Sequence, residues 1–139
     1  MQLTTNFKLE EFTRTYTGYN NVPTADALER LRYLCVSTLQ PLRDVLGVPI
    51  RITSGYRSSR VNAAVGGARS SYHLLGAAAD ITFPGVDCDF YLGWAFELLQ
   101  IWADVHRDIV EIIWYHDRHF LHVAALRGGG WGPCKVKHT

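Results

Sequence analysis

The chain has 139 residues, 14 Lys and Arg against 13 Asp and Glu, and a formal net charge of +1. This length suits one domain over residues 1–139, with a core between about residues 6 and 125. Hydrophobic residues make up 47% and charged residues 19%, which is typical of a folded domain and not of a disordered chain. The balanced charge argues against a nucleic-acid-binding surface, and no apolar run approaches the roughly 20 residues that span a bilayer.

The first part of the sequence predicts two helices and then a strand. Residues 6–15 carry apolar side chains on one side and predict a short helix. Thr24 is a good N-cap for a long helix that ends at Gly47, with apolar residues at three- and four-residue spacing. Pro41 lies inside that pattern and predicts a kink, because its ring removes a backbone hydrogen bond. The β-branched residues of 49–53 then predict a strand.

The middle of the sequence alternates short elements with turns. Residues 58–65 predict one or two helical turns, and residues 70–75 predict a loop. Residues 78–83 predict a second strand, which the Pro-Gly pair after it ends. Asp87 or Asp89 is a suitable cap for a third helix.

The last part predicts a β-hairpin and a tail. Residues 110–115 and 120–124 predict two strands around a tight turn at 116–118. Residues 127–139 begin with a glycine run and end in a short basic segment, so we expect them to be loosely ordered. Because helices and strands are partly segregated and one strand pair is a hairpin, the sequence favours an α+β fold.

The three cysteines do not form a recognisable framework. Cys35, Cys88 and Cys134 are far apart in sequence, and Cys35 falls on the apolar stripe of the long helix. Three reduced thiols are the simpler interpretation. The alternative is one disulfide, Cys88–Cys134, which requires an oxidising compartment.

Histidines and one acid suggest a metal site. Four of the six histidines, His73, His116, His119 and His122, are candidates for such a site. A catalytic zinc site usually has three protein ligands from His, Asp or Glu and one open position. His73 and Asp80 are separated by small residues that allow close backbone approach, and His122 lies in a predicted strand that can supply a third ligand. Hydrogen-bonded structural histidines remain the alternative from these residues alone.

Three motifs follow one another along the second and third quarters of the chain and its last predicted strand. One is SYHLLGAAAD, residues 71–80, which resembles the S-x-H-x-x-G-x-A-x-D segment of the M15 family of peptidoglycan zinc peptidases. Residues 120–123, FLHV, resemble its aromatic-x-His-Val strand, and residues 52–58, ITSGYRS, resemble its T-S-G-Y-R-S strand end. The resemblance covers roughly residues 7–124. It implies the small α+β fold that M15 peptidases share with the hedgehog signalling domain, a central antiparallel sheet with helices packed on it.

The resemblance also implies roles for individual residues. His73, Asp80 and His122 match the positions of the zinc ligands. Arg57 matches an arginine that holds the substrate carboxylate or the developing oxyanion, a task that suits a permanently charged guanidinium. Ser71 is expected to contribute a substrate contact, with a local turn hydrogen bond as its alternative.

The general base departs from the family pattern. The family places a carboxylate shortly before its last histidine, but here His119 stands three residues and His116 six residues before His122. Because histidine can act as a base near neutral pH, we expect His119 to take this role, then His116. Asp117 is the third candidate, Glu111 is the other nearby acid, and a weakly active or inactive protein is the remaining alternative.

Zinc-dependent hydrolysis of a peptide bond in peptidoglycan is the activity that the resemblance implies. The bond is D-Ala-D-Ala or one in a stem or cross-link peptide, and we expect a monomer. The competing hypothesis is a zinc-containing binding protein or phage structural protein of the same fold. The start, MQLTTNFKLEEF, shows no basic segment followed by an apolar one, so a secretory signal is not visible. We therefore expect synthesis in the cytoplasm and access to the wall after lysis, by partner-assisted export or from a virion.

Overall fold

The computed structural model describes residues 1–130 and 132–139. The elements are β1 Gln2–Thr4, β2 Phe7–Lys8, α1 Leu9–Thr13, α2 Ala25–Leu34, α3 Gln40–Leu46, β3 Arg51–Ser54, α4 Ser59–Ala64, β4 Ala78–Thr82, α5 Cys88–Val105, β5 Ile109–Tyr115, β6 Phe120–Ala125 and β7 Lys135–His138. A five-stranded sheet has the strand order β3-β4-β6-β5-β7, and a separate two-stranded sheet pairs β1 with β2. Neighbouring strands are antiparallel except for β7, which is parallel to β5. The α+β fold with helices packed on a central sheet is confirmed.

The two faces of the central sheet differ in character. Ile81 of β4, Leu121 of β6 and Ile112 of β5 belong to a buried apolar cluster that they share with residues of α2, α3 and α5. Their neighbours along each strand point the other way, because side chains alternate along a strand. Asp80 and His122 therefore lie on the face opposite this core, side by side as a cross-strand pair.

The long predicted helix contains a widened turn instead of a simple kink. The Thr24 hydroxyl accepts a hydrogen bond from the Ala27 N–H and caps α2, and Gly47 ends α3 in the left-handed conformation at φ 70°. Between α2 and α3, residues Cys35–Leu39 form a π-helix. The proline at position 41 cannot donate a hydrogen bond and would crowd the carbonyl four residues earlier, so the widened turn accommodates it and the helix continues.

The start of the chain differs from its prediction. The helix expected over residues 6–15 covers only Leu9–Thr13, because Phe7–Lys8 pairs with Gln2–Thr4. The Glu11 carboxylate accepts a hydrogen bond from the Lys8 N–H at 2.7 Å, which satisfies a backbone donor where the helix begins.

The middle elements follow the sequence with small shifts. The helical turns expected over 58–65 are α4, capped by the Ser58 hydroxyl, and the third helix is capped by Asp87. The strand expected over 49–53 is β3, shifted by one or two residues at its ends. The loop expected over 70–75 contains a short 3₁₀ helix, Tyr72–Leu75.

The hairpin is confirmed, but the tail is more ordered than expected. A four-residue turn, 116–119, joins β5 to β6. Within the segment expected to be loose, β7 adds to the edge of β5 as a parallel strand. Trp131, which belongs to the same predicted tail, lies outside the described residues.

Two further expectations concern membrane and thiol chemistry. Among residues 1–130 and 132–139, no helix has the length and apolar character needed to cross a membrane. Cys35, Cys88 and Cys134 are all free thiols, so the structure contains the reduced alternative and not the Cys88–Cys134 disulfide. Burial raises the pKa of the Cys35 thiol to about 12, in keeping with an inert core residue.

Candidate metal centre and cleft

Three buried side chains from different elements meet on the open face of the sheet. His73 comes from the 3₁₀ helix, Asp80 from β4 and His122 from β6. One ligand atom of each lies within 4.8 Å of the others. The Asp80 Oδ1 atom is 3.2 Å from His73 Nε2 and 3.0 Å from His122 Nδ1. The structure thus brings together the three residues that the sequence predicts as metal ligands.

The backbone fixes the ring of His73. Its Nδ1 atom is 2.7 Å from the Gly55 carbonyl oxygen. A carbonyl can only accept, so Nδ1 carries a proton and Nε2 is the nitrogen directed at the candidate metal site. The turn that contains this carbonyl packs tightly on α1. A Cβ atom at Gly55 would lie only 2.7 Å from Phe12. Only glycine fits there without a shift.

The ring of His122 is fixed from its far side. Its Nε2 atom donates to Oε1 of Glu111 on β5 at 2.8 Å, which leaves Nδ1 directed at Asp80. A histidine ligand that donates its second nitrogen to a carboxylate is a common arrangement around protein metal sites, and it orients the ring. Glu111 therefore lies behind a metal ligand, as its hydrogen-bonding partner.

The donor set fits zinc. Two imidazole nitrogens and one carboxylate oxygen are ligands that zinc favours, and three protein ligands leave a fourth position open. Ligand atoms about 2.1 Å from one tetrahedral ion lie roughly 3.4 Å apart, close to the 3.0 and 3.2 Å seen here. The second nitrogen of each histidine already has an acceptor, in the Gly55 carbonyl and the Glu111 carboxylate.

In the absence of a metal ion, burial and hydrogen bonds have opposite effects on the pKa values of Asp80 and His122. Burial is the largest influence on Asp80 and disfavours its charged form, but hydrogen bonds from His122 and His73 prevail and hold its pKa well below the usual range. Burial also lowers the pKa of His122, but hydrogen bonds to Asp80 and Glu111 raise it to about 9. A metal ion that binds Nδ1 must displace this proton, so metal binding weakens at low pH.

Arg57 is held beside the metal ligands. Its Nε donates to the Ser54 hydroxyl at 3.0 Å, and one terminal nitrogen donates to the Asn62 side-chain oxygen at 3.3 Å. The other terminal nitrogen lies 3.6 Å from Oδ2 of Asp80. Its backbone N–H donates to the His73 carbonyl, which ties the turn after β3 to the 3₁₀ helix. The guanidinium is thus a fixed positive charge at the rim of the site.

A cleft of about 700 Å³ is lined by Asp80 and Arg57. His119 and Phe120 of the hairpin also line it. The loop before α2 contributes Tyr16 to the cleft, and this side chain is almost wholly exposed. The cleft therefore connects Asp80, one of the three metal-ligand candidates, to solvent.

His119 adopts an unusual backbone conformation. It is the only described non-glycine residue with positive φ, at 55°. Strict strand alternation would place His119 and His122 on opposite faces, because they are three residues apart. The left-handed conformation bends the chain at His119, and this residue lines the cleft.

Comparison with known proteins assigns the family. Residues 5–124 match the family described as Peptidase M15. The chain belongs to the M15 peptidase family. The matched range contains all three metal-ligand candidates, Arg57 and His119, so the recognised segment includes the whole site described above.

A characterised relative in this comparison is the zinc D-Ala-D-Ala carboxypeptidase of Streptomyces albus G. The two proteins are 35% identical over 78 residues, which is 55% of this chain and 31% of that relative. The match therefore spans less than a third of the relative's own length.

His116 and Asp117 are not brought to the metal ligands. His116 stacks on Trp114 with ring centroids 3.9 Å apart, and its Nε2 lies 3.1 Å from Nδ1 of His138. Trp114 packs against Phe96 of α5, so this stack is on the helix-covered face of the sheet. Asp117 is exposed in the turn and is absent from the cleft wall. As second and third candidates for the base, both lose their geometric support.

Ser71 makes the local contact that was its alternative interpretation. Its hydroxyl accepts a hydrogen bond from the His73 N–H at 3.1 Å and caps the 3₁₀ helix. Ser71 therefore positions a metal-ligand candidate through the backbone. In the part of the chain that the structure describes, no hydrogen bond links this hydroxyl to the cleft lining.

Sequence reasoning did not identify two supporting residues. Glu111 was noted only as a nearby acid, although the hairpin register places it on the same face as His122. Asn62 was assigned no role from the sequence, yet it is buried and contacts the Arg57 guanidinium. The signal for Glu111 was available, because every second residue of β5 shares a face with Ile113, the cross-strand partner of His122.

Proposed function

We propose that this M15 chain is a zinc peptidase that hydrolyses a peptide bond in bacterial peptidoglycan. The observation that carries the proposal is the buried group of His73, Asp80 and His122, in which Asp80 lines an open cleft together with the fixed arginine beside it. The match to a zinc D-Ala-D-Ala carboxypeptidase supports both the metal and the substrate class.

The metal-ligand candidates and Arg57 would have different roles in hydrolysis. His73, Asp80 and His122 would hold the zinc ion, which when bound supplies a Lewis acid for the scissile carbonyl and lowers the pKa of water. Arg57 would grip the carboxylate of the substrate or the oxyanion that develops on its carbonyl oxygen. Its contacts with Ser54 and Asn62 hold the guanidinium in place before the substrate arrives, so little reorientation is needed.

His119 is our candidate for the general base. It lines the cleft with Asp80 and Arg57, whereas His116 and Asp117 do not. A base must reach the proton of the attacking water directly or through one further water molecule. His119 lies on an exposed turn, so its ring can adjust when substrate fills the cleft.

We propose a substrate with a free C-terminal carboxylate as the first choice. A fixed guanidinium at the rim suits such a group, because arginine binds carboxylates through two parallel hydrogen bonds. A D-Ala-D-Ala terminus carries this group next to the scissile bond, whereas a bond within a stem or cross-link does not.

Digestion of purified muropeptides, followed by mass spectrometry, tests the function. We expect zinc-loaded protein to remove a C-terminal residue, and the chelated protein to leave the muropeptides intact. A matched substrate with an amidated C-terminus isolates the contribution of Arg57. If the amide is cut as fast as the acid, the arginine acts on the oxyanion or the cut is internal.

Two outcomes would contradict the proposal. Zinc-loaded protein that cuts no muropeptide would favour the binding or phage structural hypothesis. Equal cutting with and without zinc would exclude the metal from the reaction. An Asp80→Ala variant serves as the control for contaminating hydrolases, because it removes one metal-ligand candidate and leaves the cleft walls in place.

A further inference from the structure

The turn residue His119 is anchored through its backbone. Its carbonyl oxygen accepts a hydrogen bond from the Thr82 hydroxyl at 3.2 Å, and the Cys88 thiol lies 3.9 Å from the same oxygen. These contacts come from the end of β4 and the start of α5, two elements that also build the fold around the site. A left-handed conformation costs free energy for a residue with a Cβ atom, and such strain tends to persist where the surroundings require it.

The ring of His119 has one polar partner among the described residues, and that partner is Asp89. Its Nδ1 atom lies 2.9 Å from Oδ1 of Asp89, in the first turn of α5. A carboxylate can only accept, so Nδ1 carries the proton in this contact. The neutral ring then presents an unprotonated Nε2, which is the atom a base needs.

Asp89 is not required to cap its helix. Asp87 performs that task, because its side chain accepts a hydrogen bond from the Phe90 N–H at 3.1 Å. The Asp89 carboxylate is therefore available to His119. This contact joins the first turn of α5 to the wall of the cleft.

We infer that Asp89 is a positioning residue that orients His119 and fixes its tautomer for catalysis. This inference rests on the proposed function, in which His119 is the base. The Asp89–His119 pair resembles in its logic the carboxylate that holds a catalytic histidine in hydrolase triads, which orients the ring without itself taking the proton.

Because His119 and Asp89 are both exposed, an effect of Asp89 on the orientation of the His119 ring can be distinguished from an effect on protein stability. The two side chains are 60% and 61% exposed, and exposed pairs of this kind contribute little to the free energy of unfolding. We therefore expect Asp89→Asn to leave the melting temperature unchanged and to act on turnover. A purely structural residue would show the opposite pattern.

A double-mutant cycle with the muropeptide assay tests the coupling. We expect Asp89→Asn to lower kcat by about 10–100-fold, the scale on which residues that orient a functional histidine act. In the His119→Ala background the same substitution should have no effect on kcat. Asp89→Glu should restore part of the rate, since a carboxylate returns. An equal loss in both backgrounds would overturn the inference, because Asp89 would then act on something other than His119.

Nuclear magnetic resonance gives a readout that does not depend on activity. Long-range ¹H–¹⁵N correlation of the histidine rings distinguishes Nδ1–H from Nε2–H tautomers, and the His119→Ala spectrum identifies the signal. We expect the Nδ1–H pattern in the zinc-loaded parent protein and a shift toward Nε2–H in Asp89→Asn. An unchanged His119 pattern would overturn the inference even if the protein hydrolyses muropeptides.

Asp87→Asn is the matched control. It removes a carboxylate two residues away at the same helix end, and asparagine caps a helix as well as aspartate does. We expect parent-like kcat and an unchanged His119 signal. If muropeptides are not cut at all, the proposed function fails, while the resonance experiment still decides whether Asp89 fixes the ring.

Discussion

Two histidines that are close in sequence, His119 on the turn before β6 and His122 within β6, are held in different ways. His122 lies in the middle of β6, is buried, and has a carboxylate at each ring nitrogen. His119, three residues earlier, is exposed on the turn and has one carboxylate partner. The first ring is fixed by the sheet itself, whereas the second depends on a strained turn and on the start of α5.

This contrast suits the two roles that we propose, metal ligand for His122 and general base for His119. A metal ligand must be held in place and desolvated, and cross-strand pairing of His122 with Asp80 provides both. A base must face the cleft and respond to substrate, which an exposed turn permits. The rigid and the adjustable parts of the site therefore meet within a few residues, and each can be disrupted separately.

Removal of a metal ligand should have the largest effect. We expect Asp80→Ala to lower zinc affinity by about a thousandfold or more, because one of three protein ligands is lost and each contributes several kcal/mol to a typical zinc site. Competition with a chromogenic chelator measures the affinity. Asp117→Ala removes an exposed acid of the turn and should bind zinc as the parent does. Parent-like zinc binding by Asp80→Ala would place the metal elsewhere.

The two turn histidines should differ sharply in their effect on rate. We expect His119→Ala to lower kcat by about 10²–10⁴-fold, the usual range for general acid–base catalysis. His116→Ala should stay within about twofold, since His116 stacks on Trp114 across the sheet. Muropeptide kinetics at saturating zinc measure both. If His116→Ala shows the larger loss, the turn must rearrange when substrate binds.

Arg57 should affect turnover and leave the metal in place. We expect Arg57→Ala to lower kcat by about 10²–10³-fold, as removal of one oxyanion-stabilising donor does in other hydrolases. Zinc content, measured by elemental analysis, should remain equal to that of the parent. Arg57→Lys should recover little, because an ammonium group cannot reproduce the contacts with both Ser54 and Asn62. Unchanged activity in Arg57→Ala would remove the arginine from the mechanism.

Glu111 should affect zinc affinity through its hydrogen bond with the His122 ring. We expect Glu111→Gln to weaken zinc binding by about 10–100-fold, since partners of metal-ligating histidines act on that scale. The amide oxygen still accepts from His122 Nε2, so folding should be preserved. Glu97→Gln, on the exposed surface of α5, is the matched control. A loss of kcat with unchanged zinc affinity would instead favour Glu111 as a base.

Stability of the metal-free protein should fall as the pH rises. The pKa of His122 is raised from 6.5 to about 9, so its charged form stabilises the fold fully below pH 6.5, and this stabilisation is lost as the pH rises through 9. We expect the melting temperature without zinc to drop by several degrees between pH 6.5 and 9.5. His122→Gln should remove most of this dependence. A flat profile in the parent would show that His122 is not protonated in the metal-free fold.

The sequence motifs name His73, Asp80 and His122 as one group, and the structure brings these three residues together. Asp80 and His122 share a face because the register of β4 and β6 pairs them directly. His73 follows from its motif, and the structure supplies the contact with Gly55 that no spacing rule shows.

The features that the sequence did not predict depend on contacts between elements that are distant in the chain. β7 was missed because four residues with two lysines resemble a solvated tail, and only the free edge of β5 makes them a strand. The widened turn at Cys35–Leu39 was missed because the apolar stripe continues through it. Asp89 was interpreted as a possible cap, and only the position of His119 shows its other partner.

The lysine-rich strand β7 has a consequence for self-association. An uncovered β5 would present a row of unpaired backbone groups to any second chain, and such edges promote aggregation. Strand β7 occupies that edge with four exposed residues, and Lys135 and Lys137 alternate along it. Two copies that approach through β7 would bring like charges together, so the lysines of this short strand disfavour extension of the sheet into a neighbouring molecule.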